Sequence, residues 1–319
     1  MSPSGDLPET IAVVPGFLLE TFSLSSDADD LVSFYTGDDE THRRTPVSPD
    51  PTKPYVTLTF AQSLDAKIAG ADGKQLALSG NESMVMTHWM RTMHDAILVG
   101  IGTALNDDPQ LNTRHLPPLP LHYPYRYYLP RPVILDSNLH ISPDCKLLKN
   151  YREGRGRRPW VICSSSIDPS GSDRDAFATR SARRQALEEA GGCVLEVRAD
   201  HGELLSGMIS IPELLRTLRD LGIRSLMVEG GASVIKSFLA ANKHPAGPDK
   251  PAAVAERNFL DMVIITIAPT LVGREGIFYG SDLLAEELPA LRHLKTELFG
   301  QDAVVALRAV LERPARTEQ

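Results

Sequence analysis

Short apolar runs separated by helical or polar stretches dominate the chain from residue 54 onward. Apolar runs rich in Val, Ile and Leu predict strands, and we place eight of them: Val56–Phe60, Ala96–Gly100, Pro132–Leu135, Trp160–Cys163, Cys193–Val197, Leu226–Val228, Phe259–Ala268 and Ala303–Leu311. Four segments between them have helical spacing or composition: Glu82–Met93, 174–190, Ile211–Leu221 and a helix that opens at 229–233 and runs through Leu239. Strands alternating with helices predict an α/β fold, in which helices cover both faces of a mostly parallel central sheet.

Two of the predicted helices carry finer signals. Leu214, Leu215, Leu218 and Leu221 recur at helical spacing and predict one buried stripe. Ser79 or Asn81 is the expected N-cap of the helix over Glu82–Met93, because both side chains can accept a hydrogen bond from the first helical turn.

The first fifty residues differ in composition from the rest. They carry ten acidic residues but only two basic ones, Arg43 and Arg44, and the segment 45–54 contains four prolines. We therefore expect an acidic, partly ordered N-terminal extension over residues 1–53 and one domain over 54–319. Proline-rich or Pro/Ala-rich stretches predict loop insertions near 115–130 and 244–257 within that domain.

Bulk composition narrows the class of protein. The net charge of −8 argues against a nucleic-acid binder, and no apolar stretch reaches the roughly 18 residues of a membrane span. The first residues lack the basic and apolar regions of a secretory signal. Three widely spaced cysteines fit a reduced cytoplasmic protein, with Cys163 as a small core residue.

The run Glu229–Ser233 has the strongest local signal for a ligand. A strand ends there, two glycines turn the chain and a helix begins, so free backbone N–H groups could bind a phosphate. A tight strand-to-helix turn explains the glycines equally well. The sequence Gly100–Ile101–Gly102 is not a Rossmann motif, because Leu105 stands where the third glycine would be. Thr103 is either a phosphate contact or an N-cap.

The remaining polar candidates have structural alternatives. Asp107 and Asp108 precede a proline and read more simply as a turn than as a metal site. Asp65 and Lys67 follow the first strand, where a solvated turn is the simpler interpretation. Arg91 and Arg114 could form an arginine fork for phosphate. We expect a structural His94, and find no catalytic triad signature, zinc-ligand spacing or P-loop.

Five motifs occur in an order that resembles the riboflavin-biosynthesis pyrimidine reductases: TFAQSLDAKIAG, MRTMHDAILVGIGTALNDDPQLNTR, RPVILDS, LMVEGGASVIKSFL and ITIAPTLVG. The likeness is to the standalone reductases of fungi and archaea and to the reductase half of the bacterial deaminase–reductase. It implies a dihydrofolate-reductase-like fold, NADPH as cofactor and a homodimer.

The resemblance also implies roles for individual residues. Contacts to NADPH fall on Ala61, Thr103, Asp107, Gly230, Gly231, Ala232 and Ser233. The substrate side is implied to comprise Gln75, Arg91, Leu111, Arg114, Ser137 and Glu229, with the two arginines near the ribose phosphate. No general acid is identified; Asp65 and Lys67 are the nearest candidates by motif position, and no metal is expected.

The implied reaction is reduction of the ribosyl group of 2,5-diamino-6-ribosylamino-4(3H)-pyrimidinone 5′-phosphate to ribityl in riboflavin biosynthesis. The chain lacks the H-x-E and P-C-x-x-C signature of the bacterial zinc deaminase, so we expect reduction to precede deamination. The alternatives are reduction of the deaminated pyrimidine, another NADPH reductase of this fold, and a non-catalytic nucleotide-binding protein.

Overall fold

A computed structural model describes residues 14–24, 35–36, 46–119, 126–165, 174–199, 209–241, 258–280, 283 and 288–310. The insertion predicted at 244–257 and residues 120–125 of the insertion at 115–130 lie outside the described residues. Within the described part, no helix is both long and apolar enough to span a bilayer.

One nine-stranded sheet organises the molecule, in the order β10-β11-β9-β2-β8-β3-β5-β6-β7. Its strands are β2 (Tyr55–Gln62), β3 (Ala96–Gly100), β5 (Arg131–Leu135), β6 (Trp160–Ser164), β7 (Cys193–Val197), β8 (Ser225–Gly230), β9 (Met262–Ile267), β10 (Ala290–Phe299) and β11 (Asp302–Val310). The seven strands from β9 to β7 pair in parallel, whereas β11 pairs antiparallel with both β9 and β10. A separate two-stranded ladder joins β1 (Tyr35–Thr36) to β4 (Arg126–Tyr127).

The described helices are α1 (Gly16–Thr21), α2 (Asn81–Thr92), α3 (Ile101–Asp107), α4 (Lys146–Arg152), α5 (Arg174–Glu189), α6 (Ile211–Asp220) and α7 (Ala232–Ala240). Buried apolar residues form two clusters, one on each face of the sheet. The predicted α/β architecture with a mostly parallel, two-sided sheet is therefore confirmed.

All eight predicted strands and all four predicted helices are present. Strands β3 and β7 have the predicted bounds, and the other elements have shifted ends. No counterpart was predicted for β10, for the short ladder of β1 and β4, or for helices α1, α3 and α4. Strand β10 lies at the edge of the sheet, and all ten of its residues are half-buried or exposed. A register shift between His293 and Lys295 interrupts its alternation of apolar and polar residues.

Two finer predictions were wrong. Leu221 is 46% exposed because α6 ends at Asp220, before the stripe reaches it. Helix α2 has Gly80 as its N-cap, without a side-chain cap from Ser79 or Asn81. Instead Asp302, a buried residue of β11, accepts hydrogen bonds from the Gly80 N–H at 2.7 Å and from the Ser83 hydroxyl.

Two predictions of structural roles are confirmed. Cys163 is fully buried. His94 is also fully buried, and its two ring nitrogens lie 2.8 Å from the Thr57 hydroxyl and the Met90 carbonyl oxygen. Because that carbonyl can only accept, Nδ1 carries the proton and Nε2 accepts from Thr57.

Helix α1 lies within the predicted N-terminal extension, yet it packs on the core. Phe17 and Leu18 are fully buried, and the Phe17 ring meets Phe299 of β10 edge-on at 5.5 Å. Lys295 of β10 donates to Glu20 at 2.7 Å. The division of the chain at residue 53 stays a prediction, but this helix joins the same core as the sheet.

Candidate active site

A cavity of about 960 Å³ opens along the carboxyl ends of β2, β8, β3 and β5. These ends lie side by side, in the order given by the sheet. The carboxyl edge of an open parallel sheet is where α/β proteins bind ligands. The residues after each of the four strands form the wall of the cavity, which makes it the candidate active site.

The glycine pair after β8 shapes the middle of this wall. Gly230 and Gly231 have φ values of 93° and 98°, a region that favours glycine. A Cβ atom on Gly231 would lie 2.7 Å from the Thr103 hydroxyl oxygen. The backbone therefore requires glycine for the turn itself, and the same turn brings the first residues of α7 to the cavity without any side-chain cap. The interpretation of this motif as a tight strand-to-helix turn is confirmed, and phosphate binding at the start of α7 stays a prediction.

Helix α3 supplies the neighbouring part of the wall. Thr103 is its third residue, Gly100 is its N-cap, and Asp107 ends it at the cavity. Partial burial raises the pKa of the Asp107 carboxyl. Asp108 lies outside the lining and accepts a hydrogen bond from the Lys146 N–H, at the start of α4, at 2.9 Å.

Arg91 and Glu229 form a two-point ion pair behind the wall. Arg91 Nε and Nη2 donate to the two carboxylate oxygens of Glu229 at 2.6 and 2.7 Å, and Nη1 donates to the Asn112 carbonyl at 2.8 Å. Both side chains are nearly buried, at 11% and 15% exposure. Glu229 lines the cavity and Arg91 does not, so the arginine holds the carboxylate in place.

A second basic group lies beside this pair. Arg114 is exposed and donates to the Asn112 side-chain oxygen at 3.4 Å, a long contact. His115 meets the buried His88 ring edge-on at 4.7 Å. Burial, together with the positive charges of Arg91 and Arg114, lowers the pKa of His88 to about 2. His88 was not predicted as part of this region, because a histidine within a helical pattern gives no sign of which residues will surround it.

The two candidates for general acid have structural partners. Asp65 accepts hydrogen bonds from the Ser63 hydroxyl and from the N–H groups of Val272 and Gly273, which lower its pKa to about 2. Lys67 is buried; its ammonium donates to the Gly276 carbonyl at 2.9 Å and lies 3.1 Å from the centre of the Phe278 ring. Both hold the loop after β9 against the loop after β2, and neither is among the cavity-lining residues.

The cavity collects most of the residues that the sequence singled out. Lining it are Ala61, Gln75, Thr103, Asp107, Ser137, Glu229, Gly231, Ala232 and Ser233; outside the lining lie Asp65, Lys67, Gly230, Arg91, Leu111 and Arg114. Leu111 is buried in the core with a φ of 46°. Among the described residues, no group of three or more His, Cys, Asp or Glu side chains could hold a metal ion.

Asp136 and His140 also line the cavity, although no role was predicted for either of them from the sequence. Asp136 is fully buried after β5, and its Oδ2 accepts from the Ile141 N–H at 2.8 Å. Within the described structure its Oδ1 is buried without a hydrogen-bond partner, 3.8 Å from Nδ1 of His140. The only sequence signal was the position of Asp136 at a strand end.

Comparison with known proteins identifies the family of the chain. Residues 54–243 match the model of the RibD C-terminal domain family. The chain is 33% identical over 72% of its length, and 80% of the relative, to the 2,5-diamino-6-ribosylamino-4(3H)-pyrimidinone 5′-phosphate reductase of Debaryomyces hansenii. It is 29% identical to the riboflavin biosynthesis protein RibD of Aquifex aeolicus over 79% of this chain and 57% of that one.

A solved structure shares the fold. The riboflavin biosynthesis reductase Rib7 of Saccharomyces cerevisiae aligns with a TM-score of 0.56 at 24% identity, over 82% of this chain and 93% of that one. The domain match spans more than half of the chain, and the relative from Debaryomyces hansenii is similar over most of both proteins. The chain therefore belongs to the RibD C-terminal domain family of riboflavin-biosynthesis reductases.

Proposed function

We propose that this protein reduces the ribosyl group of 2,5-diamino-6-ribosylamino-4(3H)-pyrimidinone 5′-phosphate to ribityl with NADPH. The main support for this proposal is that nine of the thirteen residues to which the family resemblance gave cofactor or substrate roles line one cavity. The fungal relatives, which are named as reductases of this pyrimidine phosphate, support the same reaction.

The residues of the cavity fit a nicotinamide dinucleotide. The uncapped start of α7, at Gly231, Ala232 and Ser233, provides backbone N–H groups for a pyrophosphate. The missing side chain of Gly231 leaves space beside Thr103 that a Cβ atom would fill. When bound, NADPH would supply the hydride, and the protein would orient the two ligands and exclude water.

The two arginines take different roles in this proposal. The guanidinium of Arg91 is already engaged by Glu229 and Asn112, so its function is to position the Glu229 carboxylate for contact with the substrate. Arg114 is exposed and makes one long hydrogen bond within the described structure, to the Asn112 side-chain oxygen at 3.4 Å, so we assign it to the substrate phosphate. A remote phosphate anchor helps to position the reacting carbon.

The direct test follows NADPH oxidation by the purified protein with the diamino substrate, the deaminated substrate and a pterin in parallel. Turnover with the diamino compound supports the proposal. Turnover with only the deaminated compound reverses the reaction order, and turnover with only the pterin favours the alternative reductase. Binding of NADPH without turnover of any of the three supports the non-catalytic alternative.

A single substitution tests the proposed phosphate anchor. Arg114→Ala should raise KM for the phosphorylated substrate at least about tenfold with a smaller change in kcat, since a charge-assisted phosphate contact is lost. Arg152→Ala, at the exposed end of α4, is the matched control. An unchanged KM in Arg114→Ala would remove Arg114 from the substrate site.

We further propose a homodimer that pairs through the outer sheet face, which we define as Ile265, Ile267, Leu291, Val305 and Leu307. These aliphatic residues are half-buried, and the alternate residues of β11 are buried on the other face. Helices α6 and α7 pack on β7, β8 and β3, away from this end of the sheet. A second copy of the chain would bury the outer sheet face.

We also propose a cytoplasmic location, which is consistent with the three free cysteines.

A further inference from the structure

The cavity lining has more acidic than basic side chains, whereas the proposed ligand carries several negative phosphate charges. Its described lining contains three carboxylates, on Asp107, Asp136 and Glu229, and one basic side chain, on His140. The start of α7 can bind a pyrophosphate. A further phosphate group elsewhere in the cavity needs a hydrogen-bond donor of its own.

The sheet order determines which end of a dinucleotide lies near His140. Along the carboxyl edge the order is Ala61 after β2, Gly231 after β8, Thr103 after β3, and Ser137 with His140 after β5. Strands are spaced about 4.8 Å apart, so the row extends for about 14 Å.

The hydride donor must lie beside the substrate, and the Arg91–Glu229 pair places the substrate on the side of α2 and β8. With the pyrophosphate at the start of α7, the adenosine half then extends toward the end of β5. His140 is therefore at the end of the cavity where the 2′-position of the adenosine ribose would lie, and Ser137, which the family resemblance placed with the substrate, lies on the cofactor side in this arrangement.

Asp136 adds a second observation at the same place. Its Oδ1 is fully buried and has no hydrogen-bond partner among the described residues, an arrangement that costs free energy unless a donor approaches. Nδ1 of His140 lies 3.8 Å from this oxygen, on a side chain that is 45% exposed. A shift of about 1 Å would let Nδ1–H donate to Asp136 and leave Nε2–H available to a ligand.

We propose that His140, held by Asp136, binds the 2′-phosphate and makes this protein select NADPH over NADH. The inference rests on the proposed dinucleotide site. His140 contacts the ligand as a hydrogen-bond donor, and Asp136 is a positioning residue that orients the imidazole. A further charged group near this loop is Arg183 of α5, which donates to the Asn138 carbonyl at 3.2 Å from outside the lining.

The test measures binding of NADP⁺, NAD⁺ and 2′,5′-ADP by calorimetry, without turnover. His140→Ala should lower the ratio of NADP⁺ to NAD⁺ affinity about tenfold, the loss of one charge-assisted contact, with NAD⁺ affinity within about twofold of wild type. His140→Arg should restore the ratio and the affinity for 2′,5′-ADP. Arg183→Ala, which removes a nearby charge without opening the cavity, should leave the ratio unchanged.

The positioning role of Asp136 has a separate readout. Asp136→Asn should lower the same ratio, and combining it with His140→Ala should lower it no further, because both act through one contact. A purely structural Asp136 would weaken NADP⁺ and NAD⁺ in parallel. An unchanged ratio in His140→Ala would overturn the inference and leave the proposed function intact, whereas a wild-type protein that binds neither nucleotide would overturn the proposed function itself.

Discussion

His88 shows how a single buried residue can make the stability of the protein depend on pH. Arg91 Nη1 lies 3.4 Å from its Nε2, and since arginine only donates, Nε2 is the unprotonated nitrogen. Nδ1 then carries the proton and is buried without a partner in the described structure. The folded protein holds this imidazole neutral, with a pKa lowered to about 2 by burial and by Arg91.

The consequence is a loss of stability in mild acid. The unfolded chain binds a proton at His88 below about pH 6.5 and the folded chain does not, so stability falls as pH falls through that value. Between pH 7 and 5 this residue should reduce the free energy of unfolding by about 2 kcal/mol.

Urea denaturation of wild type and His88→Asn at several pH values measures the effect. The variant should show a shallower decline over this range, because it lacks the imidazole that the unfolded chain protonates. Asp65, whose folded pKa is about 2, remains ionised in the folded state of both proteins. Parallel curves would show that the folded state accepts the proton.

For single residues, motif position in the sequence predicted the candidate site residues, but it did not predict which residues they contact. Glu229 and Arg91 were named separately, 138 residues apart, and their mutual ion pair follows only from the fold. Asp65 and Lys67 look like solvated polar residues in sequence. Their contacts to the loop at 272–276 depend on β2 and β9 being neighbours in the sheet.

At the scale of elements, helix α1 is the least expected feature. It precedes the matched family domain, within an acidic and proline-rich region, yet Phe17, Leu18 and Leu19 are buried against the face of the sheet that β10 extends. A six-residue helix has little stability of its own, so its apolar contacts must hold it in place.

Phe17→Ala should therefore lower the free energy of unfolding by about 3–5 kcal/mol, the usual cost of an emptied aromatic core position. Chemical denaturation of the full chain measures this loss. Val47→Ala, at a position that is 78% exposed, should change stability little. A loss below about 1 kcal/mol for Phe17→Ala would mean that the helix is not part of the cooperative core.

At the scale of the whole molecule, the outer sheet face determines the expected assembly. Residues Val305 and Leu307 are half-buried within one copy, and a second copy would cover them. Val305→Asp should weaken the dimer about thirtyfold or more, because a charge at the centre of an apolar interface is left unpaired.

Sedimentation velocity over a concentration series measures the assembly state. Leu221→Asp, at an exposed position after α6, is the matched control and should sediment as wild type does. A Val305→Asp protein that keeps the wild-type assembly state would place the interface elsewhere.

The alternation of strands and helices was predictable from the sequence, because apolar runs and helical spacing are local patterns that burial on one face imposes on each element. The sequence also determined the family, through five motifs in a preserved order. Strand order, the edge position of β10, and the packing of α1 arise from contacts between residues far apart in the chain, which no local pattern records.

The same distinction applies to the candidate site. Gly230 and Gly231 were recognisable because a turn with positive φ leaves a local signature. The Arg91–Glu229 pair, the buried His88 and the unpartnered oxygen of Asp136 were decided only by tertiary structure, because burial and charge pairing depend on which strands and helices become neighbours.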